Sequence, residues 1–215
     1  MLILIVAFVL TFFIKAPIVA AQNPIEVRGL FIGVDKSSAT DIADFVRNDL
    51  MAAKINTLVL SFNYNYQWTS HPELISSNAV SRDQLVSIVN ACREAGIKFI
   101  PAMQFMSHQY CYGTVLKEFL DAYPYFDANP GTPTKSDYCR SWNPLYPETH
   151  TIALDLMDEL LEVTGADAFH IGMDEAFMLP ENDSPYYNGE TWAKMFSDEV
   201  KIYQNHLAIS NKTLW

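Results

Sequence analysis

Short, almost continuously apolar runs alternate with amphipathic stretches along this chain, and that alternation constrains its fold more than any other feature. Residues 27–34, 55–62 and 97–103 are each of strand length and too apolar to leave one face in water, as expected of strands buried on both sides. Between the first two, residues 38–54 set Ile42, Phe45, Val46, Asp49, Leu50 and Ala53 near the 3.6-residue helical period. A second helix is expected over 81–95, opened by Ser81 as N-cap and closed by Gly96. The spacing predicts another helix over 149–163 ending near Gly165, a fourth strand over 168–171, a helix over 189–206, and a fifth strand opening at 212–215.

Such an order predicts an α/β fold with a parallel sheet covered by helices. A doubly wound sheet and a (β/α)8 TIM barrel both satisfy it. No Gly-x-Gly-x-x-Gly follows the first strand, which removes the main support for a dinucleotide-binding sheet, so the barrel is preferred and no cofactor is expected. A whole barrel takes about 250 residues. This chain has 215, and its pattern supplies only about the first four to five βα units, so residues 22–215 are expected to form the amino-terminal part of a barrel.

The chain begins with a nearly unbroken apolar run from Leu2 to Val19, interrupted by Lys15 and Pro17 and followed by Ala20-Ala21. Residues 1–21 therefore read as a signal peptide, with a retained membrane anchor as the alternative. Secretion follows from the first reading. A net charge of -11 argues against nucleic acid and anionic membrane surfaces as partners. Of three cysteines, Cys111 and Cys139 sit in polar, loop-like sequence and are the expected disulfide pair in an oxidising compartment, leaving Cys92 as a buried thiol on an apolar helix face. Their spacing matches no zinc pattern, and no metal is expected.

The chemistry points to Phe169-His170-Ile171-Gly172-Met173-Asp174-Glu175. Side chains alternate along a strand, so adjacent Asp and Glu enter one pocket only where the strand stops and the backbone turns. The long segment from Gln104 to Pro147 follows the third strand, on the side where barrels place active-site loops. Its Tyr, Trp, Pro, Asn and Asp content suits sugar binding, since aromatic faces cover pyranose C–H groups while short polar side chains take the hydroxyls. Trp142, in Ser141-Trp142-Asn143-Pro144, either stacks on a sugar or pins this loop.

Together, Arg28-Gly29-Leu30, Ile55-Asn56-Thr57-Leu58, the stretch from Ile100-Pro101 to His108, and His170-Ile171-Gly172-Met173-Asp174-Glu175 resemble the catalytic domain of glycoside hydrolase family 20, the β-N-acetylhexosaminidases. The resemblance covers roughly residues 26 to 215. It implies hydrolysis of terminal β-linked N-acetylhexosamine residues with retention, the substrate's own 2-acetamido oxygen acting as nucleophile, an exception to the scheme of two enzyme carboxylates. Carried over by position, Glu175 is the general acid and then the base, and Asp174 orients the acetamido group. Arg28 would grip hydroxyls of the terminal sugar, His108 would help position the acid, and His170 is a further candidate for substrate contact. The implied partner is a glycan or glycoconjugate ending in N-acetylhexosamine. Two other readings stand beside it: a non-catalytic carbohydrate-binding relic, and a barrel glycosidase with two separated carboxylates.

The chain departs from the family pattern at Met173, where a second glycine is usual, at Tyr64-Asn65, where Asp-Asp is usual, and at Ala102-Met103-Gln104, where Glu-Ile-Asp is usual. A histidine without its carboxylate partner is less well oriented, so the support around His108 is expected to differ.

Overall fold

The computed structural model describes residues 25–111, 117–130, 139–176, 179–181, 184 and 186–215. The expected signal peptide, residues 1–21, lies outside the described residues. The five strands that these residues form are β1 (Gly29–Gly33), β2 (Thr57–Ser61), β3 (Lys98–Ala102), β4 (Ala168–Phe169) and β5 (Thr213–Leu214). They lie side by side in chain order and all run parallel. β1 pairs with β2, β2 with β3, and β4 with β5. A parallel bridge from Ala102 to His170 joins β3 to β4, flanked by backbone bonds from the Met103 N–H to the His170 carbonyl and from the Phe105 N–H to the Ile171 carbonyl, each 3.0 Å.

Helices α1 (Ala39–Phe45), α2 (Arg82–Glu94), α4 (Pro147–Thr164) and α5 (Trp192–Ile209) fall between the strands, and a short α3 (Glu118–Ala122) lies inside the long segment after β3. Among the described residues no helix is long and apolar enough to cross a membrane. The helix expected over 38–54 is not uniform: α1 gives way to a wider π-helical turn over Val46–Leu50. That turn keeps both Val46 and Leu50 buried, and the Ile55 N–H closes on the Leu50 carbonyl at 3.0 Å.

Because side chains alternate along each strand, the register sorts them into two faces. Leu58, Leu60 and Phe99 point to the helices and share one core with Ile42, Val46, Leu85, Ile88, Ile152 and Leu156. Each fully buried aliphatic side chain there stabilises the fold by about 1.5–3 kcal/mol. The other face carries Phe31, Val59 and Ile100 in one row, and Gly33, Ser61, Ala102 and His170 in the next, nearer the strand ends. The register therefore delivers Ser61 and His170 to the same edge, above Phe31, which is 54% exposed.

The long segment is held by its own interactions. Cys111 and Cys139 form the expected disulfide, and Cys92 is a buried thiol pushed up to about 12 by desolvation. Tyr110 and Arg140 pair as a short antiparallel bridge. The largely buried Arg140 guanidinium meets Asp127. Beneath them the Glu199 carboxylate of α5 is fully buried. It accepts from the Trp142 indole N–H at 3.2 Å and from the Tyr203 hydroxyl, and lies 2.7 Å from His150 Nε2 of α4.

At the start of α2 the Ser81 hydroxyl accepts from the Gln84 N–H at 3.2 Å while the Gln84 side chain accepts from the Ser81 N–H at 3.0 Å. This reciprocal box satisfies two otherwise unpaired donors. Ser81→Ala is expected to lower stability by about 1 kcal/mol, measured as a shift of the urea midpoint with unchanged slope.

Candidate functional site

The pairing of β3 with β4 sets the two loops that follow them side by side, residues 103–111 and 171–176. Three residues of the second loop have left-handed backbone: Gly172 (φ 66°), Met173 (φ 69°) and Glu175 (φ 53°). Gly172 has no alternative. A Cβ built there would stand 2.9 Å from the Met103 carbonyl oxygen and closer still to the Gln104 side chain. Met173 holds the same conformation with a buried side chain, so the burial of a flexible thioether chain offsets the roughly 1–2 kcal/mol cost of a left-handed non-glycine residue. The tight turn throws Asp174 and Glu175 out together, 69% and 56% exposed.

The first loop brings His108 to them. Its backbone is also left-handed (φ 54°), and its half-buried ring places Nε2 3.7 Å from Asp174 Oδ2 and 3.6 Å from Glu175 Oε2. Those separations exceed a direct hydrogen bond and suit electrostatic attraction between the ring and both carboxylates. His108 Nδ1 lies 3.7 Å from Cys111 Sγ, so the disulfide stands directly behind the imidazole. Below these groups is a cavity of about 610 Å³ lined by Phe31, Ser61, Asn63, Gln104, His108, His170, Gly172 and Asp174. That volume is in the range of small-molecule sites.

His170 packs edge-on to Phe31, ring centroids 5.4 Å apart. Its Nδ1 accepts the Gly172 N–H at 3.0 Å, which leaves Nε2 to carry the proton of the neutral ring. Burial pulls its pKa below 6.5, against the opposing pull of the Asp174 charge and of a backbone hydrogen bond.

Two expected contributors lie elsewhere. Arg28 precedes β1, at the edge where the strands begin. Its Nε donates to the Lys54 carbonyl at 2.5 Å and Nη1 to the Ile25 carbonyl at 2.7 Å. The guanidinium closes the bottom of the sheet and does not reach the cavity. Trp142 is fully buried, with ring centroids 4.8 Å from Phe119 and 5.8 Å from Phe105. It pins the loop from beneath and presents no face to a sugar. The causes differ: Arg28 lies at the wrong end of a parallel strand, and the Trp142 indole N–H has a buried carboxylate to satisfy it, so of the two readings of Trp142 the loop-pinning one holds.

The structure also brings in residues that motif reading passed over. Gln104 Nε2 donates to Asp174 Oδ1 at 2.7 Å. Gln109 is fully buried, receives the Tyr64 hydroxyl, and donates to the carbonyls of Gln104 at 2.7 Å and Ser107 at 2.9 Å. Tyr64 is buried too, and desolvation drives its phenol well above its ordinary pKa, so it stays a neutral donor. The signal was present as the replacement of expected carboxylates at 64 and 104 by neutral hydrogen-bonding side chains. Among the described residues, His108, Asp174 and Glu175 have ligand atoms within 4.8 Å of one another, as do His108, Cys111 and Cys139. The two sulfurs of the second group are already joined, so only the first could offer three donors to a cation.

Gly172→Ala is expected to push Gln104 away from Asp174 and to lower stability by about 1–3 kcal/mol, read from thermal melts and from loss of ligand binding. For His170 the folded pKa lies below the unfolded value of about 6.5. Its contribution to stability is therefore complete above that value and is lost as pH falls through the folded pKa. An imidazole NMR titration of His170 should show a midpoint below the free value; a midpoint at or above the free value would refute this environment.

Comparison with known proteins agrees with this fold. The model of the family described as glycosyl hydrolase family 20, catalytic domain, matches residues 51–211, well over half of the chain. No curated protein sequence gives a significant match. Among solved structures, a chitobiase from Flavobacterium johnsoniae superposes with a TM-score of 0.69 at 20% identity, over 87% of this chain and 30% of that one. A β-N-acetylhexosaminidase from Streptomyces coelicolor gives 0.64 at 17%, over 88% and 38%. An exo-β-N-acetylglucosaminidase from Vibrio harveyi, solved with N-acetylglucosamine, gives 0.64 at 14%, over 87% and 34%. The chain thus spans less than half the length of each. At these identities the likeness is one of fold, and with the family match it leads to one statement: this chain belongs to glycosyl hydrolase family 20, as part of its catalytic domain.

Proposed function

We propose that this chain is the amino-terminal part of a (β/α)8 barrel, its first four to five βα units, that hydrolyses terminal β-linked N-acetylhexosamine residues by substrate-assisted, retaining catalysis. The observation that carries the proposal is the convergence of His108, Asp174 and Glu175 at the ends of parallel strands, beside a cavity that His108 and Asp174 line. Asp174 and Glu175 are consecutive residues that leave one turn together, their ligand atoms within 4.8 Å of each other. Two neighbours on one turn favour a nucleophile from the substrate over a pair of carboxylates on opposite faces of the anomeric carbon.

In the first step the acetamido oxygen bonds to the anomeric carbon while the glycosidic C–O bond breaks, and the Glu175 carboxyl delivers its proton to the leaving oxygen. The resulting oxazolinium carries positive charge shared with nitrogen, and the Asp174 carboxylate accepts that N–H and stabilises the charge. In the second step the Glu175 carboxylate takes a proton from water as the water oxygen attacks the anomeric carbon and the acetamido oxygen leaves. Two displacements restore the β configuration. His108 lies within reach of both carboxylates and serves to orient them. The neutral His170 offers its Nε2–H to a sugar hydroxyl above the Phe31 face.

The Cys111–Cys139 disulfide supports an oxidising, extracytoplasmic location, in keeping with a secreted protein or one held by a membrane anchor.

With the barrel protein carrying these units, Glu175→Gln is expected to lower kcat on an N-acetylglucosaminide with an unactivated leaving group by about 10²–10⁴-fold, while N-acetylglucosamine still binds. Retention of most activity would remove Glu175 as the acid. A second reading has its own observation: Glu175 is 56% exposed, as in a pocket that binds sugar without turning it over. Calorimetric binding without hydrolysis, unaffected by Glu175→Gln, would select that reading. Turnover of a β-glucoside lacking the acetamido group would select a different barrel glycosidase.

A further inference from the structure

Gln104 leaves the end of β3, and its amide comes to rest between the two loops of the site. Nε2 donates to Asp174 Oδ1 at 2.7 Å and to Ser107 Oγ at 2.8 Å, so both amide protons are used. The reverse placement would set the amide oxygen against an ionised carboxylate, and two acceptors cannot bond each other. The oxygen side of the amide occupies the space that a Cβ on Gly172 would need. Its backbone carbonyl is held by the buried Gln109, which is itself held by Tyr64. The donor therefore has little freedom of its own.

Asp174 is in the opposite position. Its side chain is 69% exposed on a turn, where a carboxylate otherwise moves among several rotamers. With Oδ1 held by Gln104, rotation stops and Oδ2 remains on the His108 side, 3.7 Å from Nε2. We infer that Gln104 is a positioning residue: it holds Asp174 so that Oδ2 is the acceptor presented to an N–H group of the ligand. The inference rests on the reading of Asp174 as the group that meets a 2-acetamido N–H. Glutamine meets the requirement because it donates without bringing a third negative charge to a site that already holds two carboxylates.

Two measurements test it. In protein labelled with ¹⁵N at glutamine side chains, Asp174→Ala should move the Gln104 amide protons upfield and leave those of Gln109 in place. In steady-state kinetics on a 2-acetamido aryl glycoside, Gln104→Leu should lower kcat by about 10²-fold, the scale of a small misplacement of a reacting group, with KM nearly unchanged. Gln104→Glu keeps the size and shape of the side chain but donates to Asp174 only while it carries a proton, so its kcat should fall toward that of Gln104→Leu as pH is raised. A purely structural role would leave the Glu variant close to wild type at every pH, and that result overturns the inference. So does an amide signal that ignores Asp174→Ala. If the wild type turns over no 2-acetamido glycoside, the functional reading falls, and the amide signals alone decide the inference.

Discussion

The parallel contact between β3 and β4 is the constraint on which the rest depends. One bridge, Ala102 with His170, and two flanking backbone bonds decide that the loop bearing His108 and the loop bearing Asp174 and Glu175 leave the sheet side by side. Parallel pairing ensures that both leave from the same end. A slip of one residue would turn His170 toward the helices and bring Ile171 to the cavity, since side chains alternate strictly. The chemistry is thus set by strand register before any catalytic side chain is considered.

What holds the loops above that contact is mostly neutral. Tyr64 and Gln109 form a buried pair that fixes the backbone before His108, and Gln104 fixes Asp174. Charge is kept for the groups that meet the cavity. The main exceptions are the partly buried Arg140–Asp127 pair within the long segment and the Glu199 cluster beneath it, where three elements share one carboxylate. Removing one partner of such a group strands a desolvated charge, which costs far more than the pair contributes. The support of the site is therefore rigid where it is buried and adjustable where it meets solvent.

Much of this was legible in the sequence. The apolar runs gave the strands to within a few residues, because the central strands are buried on both faces, although β1, expected to be buried likewise, leaves Gly29, Phe31 and Gly33 exposed on one face. Ser81, Gly96 and Gly165 marked helix ends for local reasons that do not depend on tertiary packing. The Asp174-Glu175 pair stood out through its place after a strand. Arg28 was read toward the cavity from its place in the family resemblance, and Trp142 was left between stacking on a sugar and pinning the loop. Their actual orientations are set by the carbonyls of Ile25 and Lys54 and by the buried Glu199 carboxylate, and Lys54 and Glu199 are 26 and 57 residues away in sequence. Gln104 stood out only as a departure from the family's Glu-Ile-Asp, and Gln109 carries no motif at all. Helix α3 is five residues long, too short for a period to declare itself.

The turn at Met173 shows what the family pattern of paired glycines encodes. A methionine occupies the left-handed backbone there and turns its side chain into the core, so the torsion at this position does not require glycine. Glycine at this position is one way of reaching a torsion angle, and an unbranched apolar chain with somewhere to go is another. A pattern that demands the glycine will pass over proteins that keep the geometry. One written in torsion angles, with true glycine required only at Gly172 where a neighbour leaves no space, would find them.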